Sequence, residues 1–208
     1  GTQMSTRFDN RSVSTFKKDI YFATKLEKYF FNEWLERIKQ DPRGITVDSW
    51  KDNGCGNDGE FIAKGNTAGA DYSICGKVFY GQGGSGILED EPLEIKWVPT
   101  AGKFTLKEND LRAYVREQAS ILFIYNSVRC GTDLRKPRDY DFDRHIKLVE
   151  SKSQQIKWGV MWSPRVKEFY NSVKKASGFR PISYMGGKQG VVLKQQDFDN
   201  WFVSYDWE

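Results

Sequence analysis

Two short segments, each bounded by turn residues, constrain the fold of this chain most strongly. They cover residues 70–75 and 92–98, and both have the length and the apolar content of strands. Side chains alternate along a strand, so Glu94 and Lys96 share one face of the second segment and the apolar residues between and beside them share the other. The second strand is therefore predicted to carry a polar face and a core face.

The polar face offers metal-ligand chemistry. If the two strands pair, Asp71 lies beside Glu94, and two carboxylates with the backbone carbonyl of Ile95 and water suit the octahedral oxygen site that Mg²⁺ prefers. Mn²⁺ is the expected substitute. Lys96 is then placed to orient an attacking water or to offset charge that develops on a phosphate.

An acidic residue on one strand followed by Glu-x-Lys on the next resembles the active site of the PD-(D/E)XK nuclease superfamily. The resemblance rests on Asp71, Glu94 and Lys96 and on the order of elements over residues 13–128. It implies an α/β (α+β) fold with an αβββαβ core, in which helices flank a central mixed sheet. Ala70 stands where the family often has proline.

The first predicted element is a long helix. Apolar residues recur every three or four positions between Val13 and Gln40, and Pro42 follows in a turn that ends the pattern. Glu27 lies beside the apolar stripe, and the resemblance implies a glutamate at this point that is directed at the metal site. Glu27 is thus a candidate catalytic residue, with Glu33 as the weaker substitute. The alternative is a solvated carboxylate on the helix flank.

Short strands are also predicted at residues 45–47 and 60–63, around a glycine-rich turn. A second glycine cluster at residues 81–86 lacks the lysine followed by serine or threonine of a P-loop, and no helical pattern follows it. We interpret this cluster as a mobile hairpin loop between the two strands that carry Asp71 and Glu94.

After the Glu-x-Lys strand, residues 105–108 read Thr-Leu-Lys-Glu, the pattern of a capping box, which predicts a helix with Gln118 among the residues of its buried side. The continuous apolar run at residues 120–125 predicts a buried strand. Lys107 either approaches the site or the DNA backbone, or is solvated.

A second Glu-x-Lys, residues 150–152, follows Asp141 and Asp143. The spacing leaves little room for two paired strands and a turn, so we interpret it as a chance match. His145 is the only histidine, which excludes zinc sites built on several histidines. It is a candidate general base, although a lone histidine among cationic residues more often contacts phosphate or solvent.

Positive charge is concentrated late in the chain. Residues 131–190 contain 13 Lys and Arg against 6 Asp and Glu, while the whole chain carries +4. Cations interleaved with aromatic residues suit a phosphate backbone, so double-stranded DNA is the expected partner. The tryptophans of this region are predicted to be core rather than stacking platforms. The candidate DNA-binding residues are Lys107, Arg144, Lys147, Lys152, Arg165, Lys174 and Lys175.

With 208 residues and 38% hydrophobic content, the chain is long enough for a sizeable core. We expect a catalytic core over residues 1–130 and a basic C-terminal extension over residues 131–208, packed on it as a subdomain. Within the extension, a helix is predicted at residues 163–175 with Ser163 as its cap, and final strands near residues 191–193 and 201–203.

The sequence contains no apolar run long enough to span a membrane and no signal-peptide pattern, which favours a cytoplasmic location. The three cysteines form no C-x-x-C pair and are predicted to be reduced thiols. Gly1-Thr2-Gln3 before Met4 is typical of a cloning remnant.

The sequence thus predicts a Mg²⁺-dependent endodeoxyribonuclease. A homodimer is a reasonable expectation, because small nucleases of the superfamily often dimerise to cut both strands. The alternative is a catalytically inactive nucleic-acid-binding protein of the same fold. A structural protein with no nucleic-acid partner is supported only by the modest net charge.

Overall fold

The computed structural model describes residues 12–40, 44–54, 69–79, 84–101 and 104–204. The α-helices in these ranges are α1 (Val13–Ile38), α2 (Glu108–Glu117), α3 (Phe142–Ser151), α4 (Ser163–Lys175) and α5 (Gln195–Trp201). The strands are β1 (Ile45–Asp52), β2 (Tyr72–Phe79), β3 (Ser85–Val98), β4 (Phe104–Lys107), β5 (Ser120–Asn126), β6 (Ile156–Met161), β7 (Arg180–Ile182), β8 (Lys188–Leu193) and β9 (Val203–Ser204). Short 3-10 turns occupy Ser153–Gln155 and Ser183–Met185.

A six-stranded mixed sheet with the order β1-β2-β3-β5-β6-β9 forms the centre of the fold. The first three strands are an antiparallel meander, β3 and β5 are parallel, and β6 is antiparallel to both β5 and β9. A smaller antiparallel sheet has the order β4-β8-β7. The predicted mixed α+β architecture with a central mixed sheet is therefore confirmed.

Helices cover both faces of the central sheet, and β5 shows this most clearly because every one of its residues is buried. Leu122 and Ile124 join a core cluster that contains residues of α1 and α3. Ile121 and Phe123 join a second cluster that contains residues of α2, α4 and α5. A parallel strand buried on both faces is continuously apolar, which is why its prediction from the sequence is confirmed.

Helix α1 forms as its sequence predicts. The Ser12 hydroxyl accepts a hydrogen bond from the Thr15 N–H at 3.1 Å and so satisfies one of the free amides of the first turn. Phe30, Phe31 and Trp34 are almost completely buried against the central sheet. The helix therefore gains its stability mainly from tertiary packing of this apolar stripe.

A one-residue bulge in β3 determines which of its side chains face the α1 side. The extra residue is Asp90, which has a φ of 45° and donates its N–H to the Cys75 sulfur at 3.4 Å. As a result, Leu88 and Leu93 both enter the α1-side core although an odd number of positions separates them. Without the bulge, Glu94 rather than Leu93 would share the face of Leu88.

Residues after position 130 contribute to both sheets. They supply β6 and β9 to the central sheet, and β7 and β8 to the smaller one, where β8 pairs with β4. The predicted division at residue 130 therefore does not coincide with a division between sheets. Trp158 and Trp162 are buried in the α1-side core, which confirms that these tryptophans are core residues.

The predicted capping box at residues 105–108 is wrong. Residues 104–107 are strand β4, which pairs with β8 and buries Leu106, and α2 begins one residue later with Lys107 as its N-cap. The Thr105 hydroxyl contacts the hydroxyl of Tyr184 instead of capping the helix. A long-range strand pairing overrides the local helix signal here.

Three smaller expectations also change. Gln118 is exposed, because it is the C-cap of α2 with a φ of 56°, rather than part of the buried side. Ser163 is the first residue of α4 and Trp162 is its N-cap, without a side-chain hydrogen bond to the helix. Trp201 ends a helix, so only Val203 and Ser204 form the last strand.

Several sequence predictions lie outside the described residues: the strand at 60–63, most of the glycine-rich turn before it, the first half of the loop at 81–86, residues 1–4 and Cys55. Cys75 and Cys130 are free thiols. Within the described ranges, no helix combines the length and the apolar character needed to cross a bilayer.

Gly76 offers a test of the β1–β2 packing. A Cβ added there would lie 1.8 Å from the carbonyl oxygen of Thr46, which is backbone and cannot rotate away. We expect Gly76→Ala to lower the free energy of unfolding by about 2–3 kcal/mol, measured by urea denaturation. Lys77→Ala, on the exposed neighbouring position, should change it by less than about 0.5 kcal/mol. Equal effects of the two changes would contradict this packing.

Candidate active site

The candidate site forms where β2 begins beside the second half of β3. Tyr72 pairs with Leu93, which confirms the predicted pairing of the two strands and places Asp71 just before β2. Asp71 turns toward β3, and its Oδ2 accepts a hydrogen bond from the Ile95 N–H at 2.8 Å. The carboxyl groups of Asp71 and Glu94 are close enough for each to shift the pKa of the other. The two predicted ligands are therefore neighbours.

Asn53, which follows β1, holds the backbone on either side of Asp71. Its N–H donates to the Asp71 carbonyl at 3.0 Å, and its side-chain amide donates to the Ala70 carbonyl at 3.0 Å. The same amide reaches the Ser73 hydroxyl at 3.2 Å. Asn53 thus fixes the segment from which the Asp71 carboxylate projects.

Lys96 lies on the same face of β3 as Glu94. Its Nζ is 3.5 Å from Glu94 Oε1, and only 24% and 13% of the two side chains are exposed. The ammonium group lies 5.7 Å from the centroid of the Tyr114 ring on α2, and Tyr114 and Asp110, one turn earlier, both stabilise its charged form. The lysine therefore interacts with β3 and with α2.

Glu27 approaches from α1, which packs on the opposite face of the sheet from α2. Its side chain is partly buried, and its carboxylate repels that of Asp71 and raises the Asp71 pKa. The position of Glu27 therefore favours a role in the site over a solvated flank. Glu33 has no such interaction with the site residues in the described parts of the chain.

Burial and like charge together make these carboxyl groups unusually weak acids. Burial, with repulsion from Glu27, raises the pKa of Asp71 to about 7. Burial and repulsion from Asp71 raise the pKa of Glu94 to about 8, and burial and repulsion from Glu94 raise that of Glu27 to about 8. Each pKa unit corresponds to about 1.4 kcal/mol, so the cluster strongly favours bound protons or another source of positive charge.

Lys96 supplies part of that positive charge. Burial disfavours its ammonium form, but Tyr114, Glu94 and Asp110 together hold its pKa well above the usual value. Lys96 is therefore a cation throughout the physiological pH range. It acts on the site through charge and hydrogen bonding, and not as an acceptor of protons.

The donor set fits a hard divalent cation. Among the described residues, no three carboxylate, imidazole or thiol groups are arranged to hold a metal ion. Mg²⁺ needs fewer, since it is usually bound through one or two carboxylates and keeps several waters. Asp71 and Glu94 would hold it, and the carbonyl of Ile95 is the predicted third oxygen. The raised pKa values indicate that additional positive charge beside the same two groups would stabilise their ionised forms.

The structure separates the predicted DNA-binding residues into two groups. Arg144, Lys147 and Lys152 lie on or just after α3, on the α1 side of the sheet. The other helical ones, Arg165, Lys174 and Lys175, lie on α4, on the α2 side. The two groups therefore lie on opposite faces of the central sheet, and Lys107 is the N-cap of α2.

Some of these cations already have partners. Arg165 donates to Glu168 at 2.6 Å and to the Asn200 carbonyl at 3.0 Å, and its guanidinium lies 4.3 Å from the Trp201 ring centroid. Arg144 pairs with Asp139. The arginine of α4 therefore packs α5 onto the core.

Two other sequence predictions are resolved by α3. Asp143 and Glu150 lie on this one helix instead of on paired strands, in agreement with a chance Glu-x-Lys match. The expectation that His145 contacts solvent is not met, because it is 3% exposed and packs against Phe22 with a ring distance of 5.5 Å. The apolar face of α3 packs against α1, and this packing buries the imidazole.

Sequence reasoning missed Asn53, Asp110 and Tyr114 as parts of the site. Asp110 and Tyr114 are four residues apart, so they lie on one face of the helix that follows the Glu-x-Lys strand. That spacing is a usable signal, but it indicates a buried face and not which strand the face contacts. Asn53 carried no signal beyond its place in a turn.

Comparison with known proteins returned no relative. No family model, no curated protein and no solved structure matches this chain. The assignment of function therefore rests on the geometry and electrostatics of the site.

The raised pKa values predict an unusual pH dependence of stability. Between the ordinary carboxyl pKa near 4 and the folded values of about 7 to 8, the unfolded chain has released protons that the folded cluster still holds. This cluster's contribution to stability is present at low pH and is lost as the pH rises to about 8. We expect Glu27→Gln, which removes one charge, to stabilise the metal-free protein at pH 8.5 by at least about 1 kcal/mol. Near pH 4, where Glu27 is protonated, little effect is expected.

Urea denaturation at both pH values with EDTA measures this difference. Glu36→Gln on the exposed side of α1 is the matched control and should change stability by less than about 0.5 kcal/mol at either pH. Equal destabilisation by Glu27→Gln at both pH values would show that the Glu27 carboxylate is not under repulsion.

Proposed function

We propose that this protein is a metal-dependent endonuclease of the PD-(D/E)XK type that hydrolyses DNA phosphodiester bonds. One observation carries the proposal: Glu27 of α1, Asp71 just before β2 and Glu94 of β3 interact electrostatically with one another and with the cationic Lys96. Buried like charges are costly to a fold, so a cluster of this kind indicates a functional site.

The order of elements supports the same class. The chain runs α1, β1, β2, β3, α2 and β5, with the single short strand β4 inserted before α2, and this is the order αβββαβ. The antiparallel meander followed by a parallel strand agrees with a helical crossover between β3 and β5. Asp71 immediately precedes β2, and the Glu-x-Lys lies on β3, with which β2 pairs.

The proposed roles of the four site residues follow from their charges. A divalent metal, when bound, would supply Lewis acidity and a water of lowered pKa. Asp71 and Glu94 are the groups that would hold it, and Glu27 adds a negative charge from the α1 side. Lys96, a fixed cation beside Glu94, stabilises negative charge that develops on the phosphate oxygens during attack.

DNA is the proposed substrate because, within residues 131–190, 13 Lys and Arg outnumber 6 Asp and Glu. Association into a homodimer is proposed as the way in which both strands are cut. The separation of cations onto the α3 and α4 faces is compatible with one group that contacts DNA and another that stabilises the fold.

Plasmid cleavage tests the proposal. We expect the parent protein to convert supercoiled plasmid to nicked and linear forms with Mg²⁺ or Mn²⁺ and not with EDTA. Glu94→Gln and Lys96→Met should each lower the rate by at least about 100-fold, because each removes a charge that acts on the reacting phosphate.

Glu89→Gln and Lys77→Met are the controls, since both positions are exposed and lie on β3 and β2 away from the cluster. They should cleave at the parental rate. Cleavage that persists in folded Glu94→Gln would place the activity elsewhere. DNA binding without cleavage by the parent would favour the inactive binding protein of the same fold.

Metal binding also has a readout that does not require activity. At pH 8.5 we expect millimolar Mg²⁺ to raise the thermal midpoint of the parent protein by several degrees, because a ligand that binds only the folded state stabilises it. Glu94→Gln should lose this response at matched ionic strength. An equal rise in both proteins would indicate that Mg²⁺ acts elsewhere.

A further inference from the structure

An open cavity of about 840 Å³ lies between the loop from β5 to α3 and α3 itself. Its walls carry four cationic side chains and one carboxylate: Arg135, Lys136, Arg138, Arg144 and Asp133. None of the carboxylates of the candidate active site belongs to its described lining. The cavity is therefore a positively charged surface distinct from the carboxylate cluster.

One nitrogen of a buried imidazole in the same lining has no hydrogen-bond partner in the described part of the chain. His145 is 3% exposed and hydrogen-bonds to the backbone of Leu134, while its Nε2 has no partner among the described residues. The bond to Leu134 therefore involves Nδ1, which donates to the carbonyl. A buried nitrogen without a partner costs about 1–3 kcal/mol, so its presence beside a cationic cavity indicates a ligand.

The cations of the cavity are available to an anion. Arg135 pairs with Asp133 and Arg144 pairs with Asp139, but these pairs are exposed, weak in water and exchange readily for a stronger ligand. Lys136 lies 3.2 Å from the partly buried Asp19. Arg138 is exposed and forms no ion pair within the described ranges. The cavity thus combines fixed positive charge with an unsatisfied buried nitrogen.

The cavity also adjoins the candidate active site. Lys136 lines a second cavity, of about 300 Å³, whose wall includes Glu27. Phe22 lines that second cavity too, and its ring lies 5.5 Å from the imidazole of His145. The surface therefore continues from the cationic cavity, past Lys136, to the α1 side of the carboxylate cluster.

We propose that the cationic cavity binds a phosphate group of a nucleic-acid strand, at a position along the strand from the phosphate that reacts. Arg138 and Arg144 contact the phosphate oxygens, and His145 donates a hydrogen bond from Nε2. The cavity and the imidazole are sufficient to support an oxyanion site. Its assignment to a strand that continues into the active site rests on the proposed nuclease function.

Binding of an oxyanion at this position couples to protonation. With Nδ1–H donated to Leu134, the Nε2 of the neutral ring is an acceptor, and it must gain a proton before it can donate to a phosphate. Burial lowers the pKa of His145, and Asp133 is the carboxylate that opposes this effect. A bound phosphate adds negative charge beside Arg135, Lys136, Arg138 and Arg144, and so raises the pKa of the imidazole.

His145 is the only histidine in the chain, so its ring-proton resonance in an NMR titration is unambiguous. We would follow that pKa in the full chain with EDTA, first alone, then with inorganic phosphate, then with a short DNA oligonucleotide. The oligonucleotide should raise the pKa by roughly one unit at concentrations well below those at which inorganic phosphate acts. Arg138→Gln should weaken oligonucleotide binding and reduce its salt slope by about one.

Lys167→Gln, an exposed cation of α4 on the other side of the sheet, should leave both quantities unchanged. A pKa that neither ligand moves would overturn the site. A response to inorganic phosphate alone would overturn its assignment to a nucleic-acid strand. Metal-dependent cleavage without any response of His145 would remove this inference and leave the nuclease proposal standing, whereas a His145 response without cleavage would do the reverse.

Discussion

The repulsion between buried carboxylates at the junction of β2 and β3 is the interaction on which the proposed function depends. Asp71 and Glu94 are held close together by strand pairing and by the hydrogen bond from the Ile95 amide to Asp71 at 2.8 Å. The fold therefore keeps together carboxyl groups that repel each other when ionised, and a single lysine offsets this repulsion only in part. A divalent cation would offset it without protonation of the carboxyl groups.

The charged groups of the site are positioned by elements on both faces of the central sheet. The bulge at Asp90 rotates the second half of β3 so that its apolar residues pack under α1 while Glu94 and Lys96 turn toward α2. Helix α2 then supplies Asp110 and Tyr114 to the lysine, and α1 brings Glu27 to the cluster from the other side. The rest of the chain extends the sheet and adds helices to both of its faces.

Much of the site was predictable, because its residues follow local rules. Period-two alternation placed Glu94 and Lys96 on one face, and the continuous apolar run predicted β5. What failed depended on contacts distant in sequence: Thr105 and its neighbours pair with β8 instead of capping a helix, and His145 is buried by packing on α1. The partners of Lys96 on α2 were hidden for the same reason, since helical spacing shows a buried face but not its neighbour.

The most direct test of this account is the ionisation of Asp71 and Glu94, followed by the ¹³C resonances of their carboxyl carbons with and without Mg²⁺. Without metal, the account predicts pKa values of about 7 and 8 for these groups. Saturating Mg²⁺ should lower both by at least about one unit, because a bound cation favours the charged form. Ordinary values near 4 that Mg²⁺ leaves unchanged would contradict the central claim that this cluster is built to hold a cation.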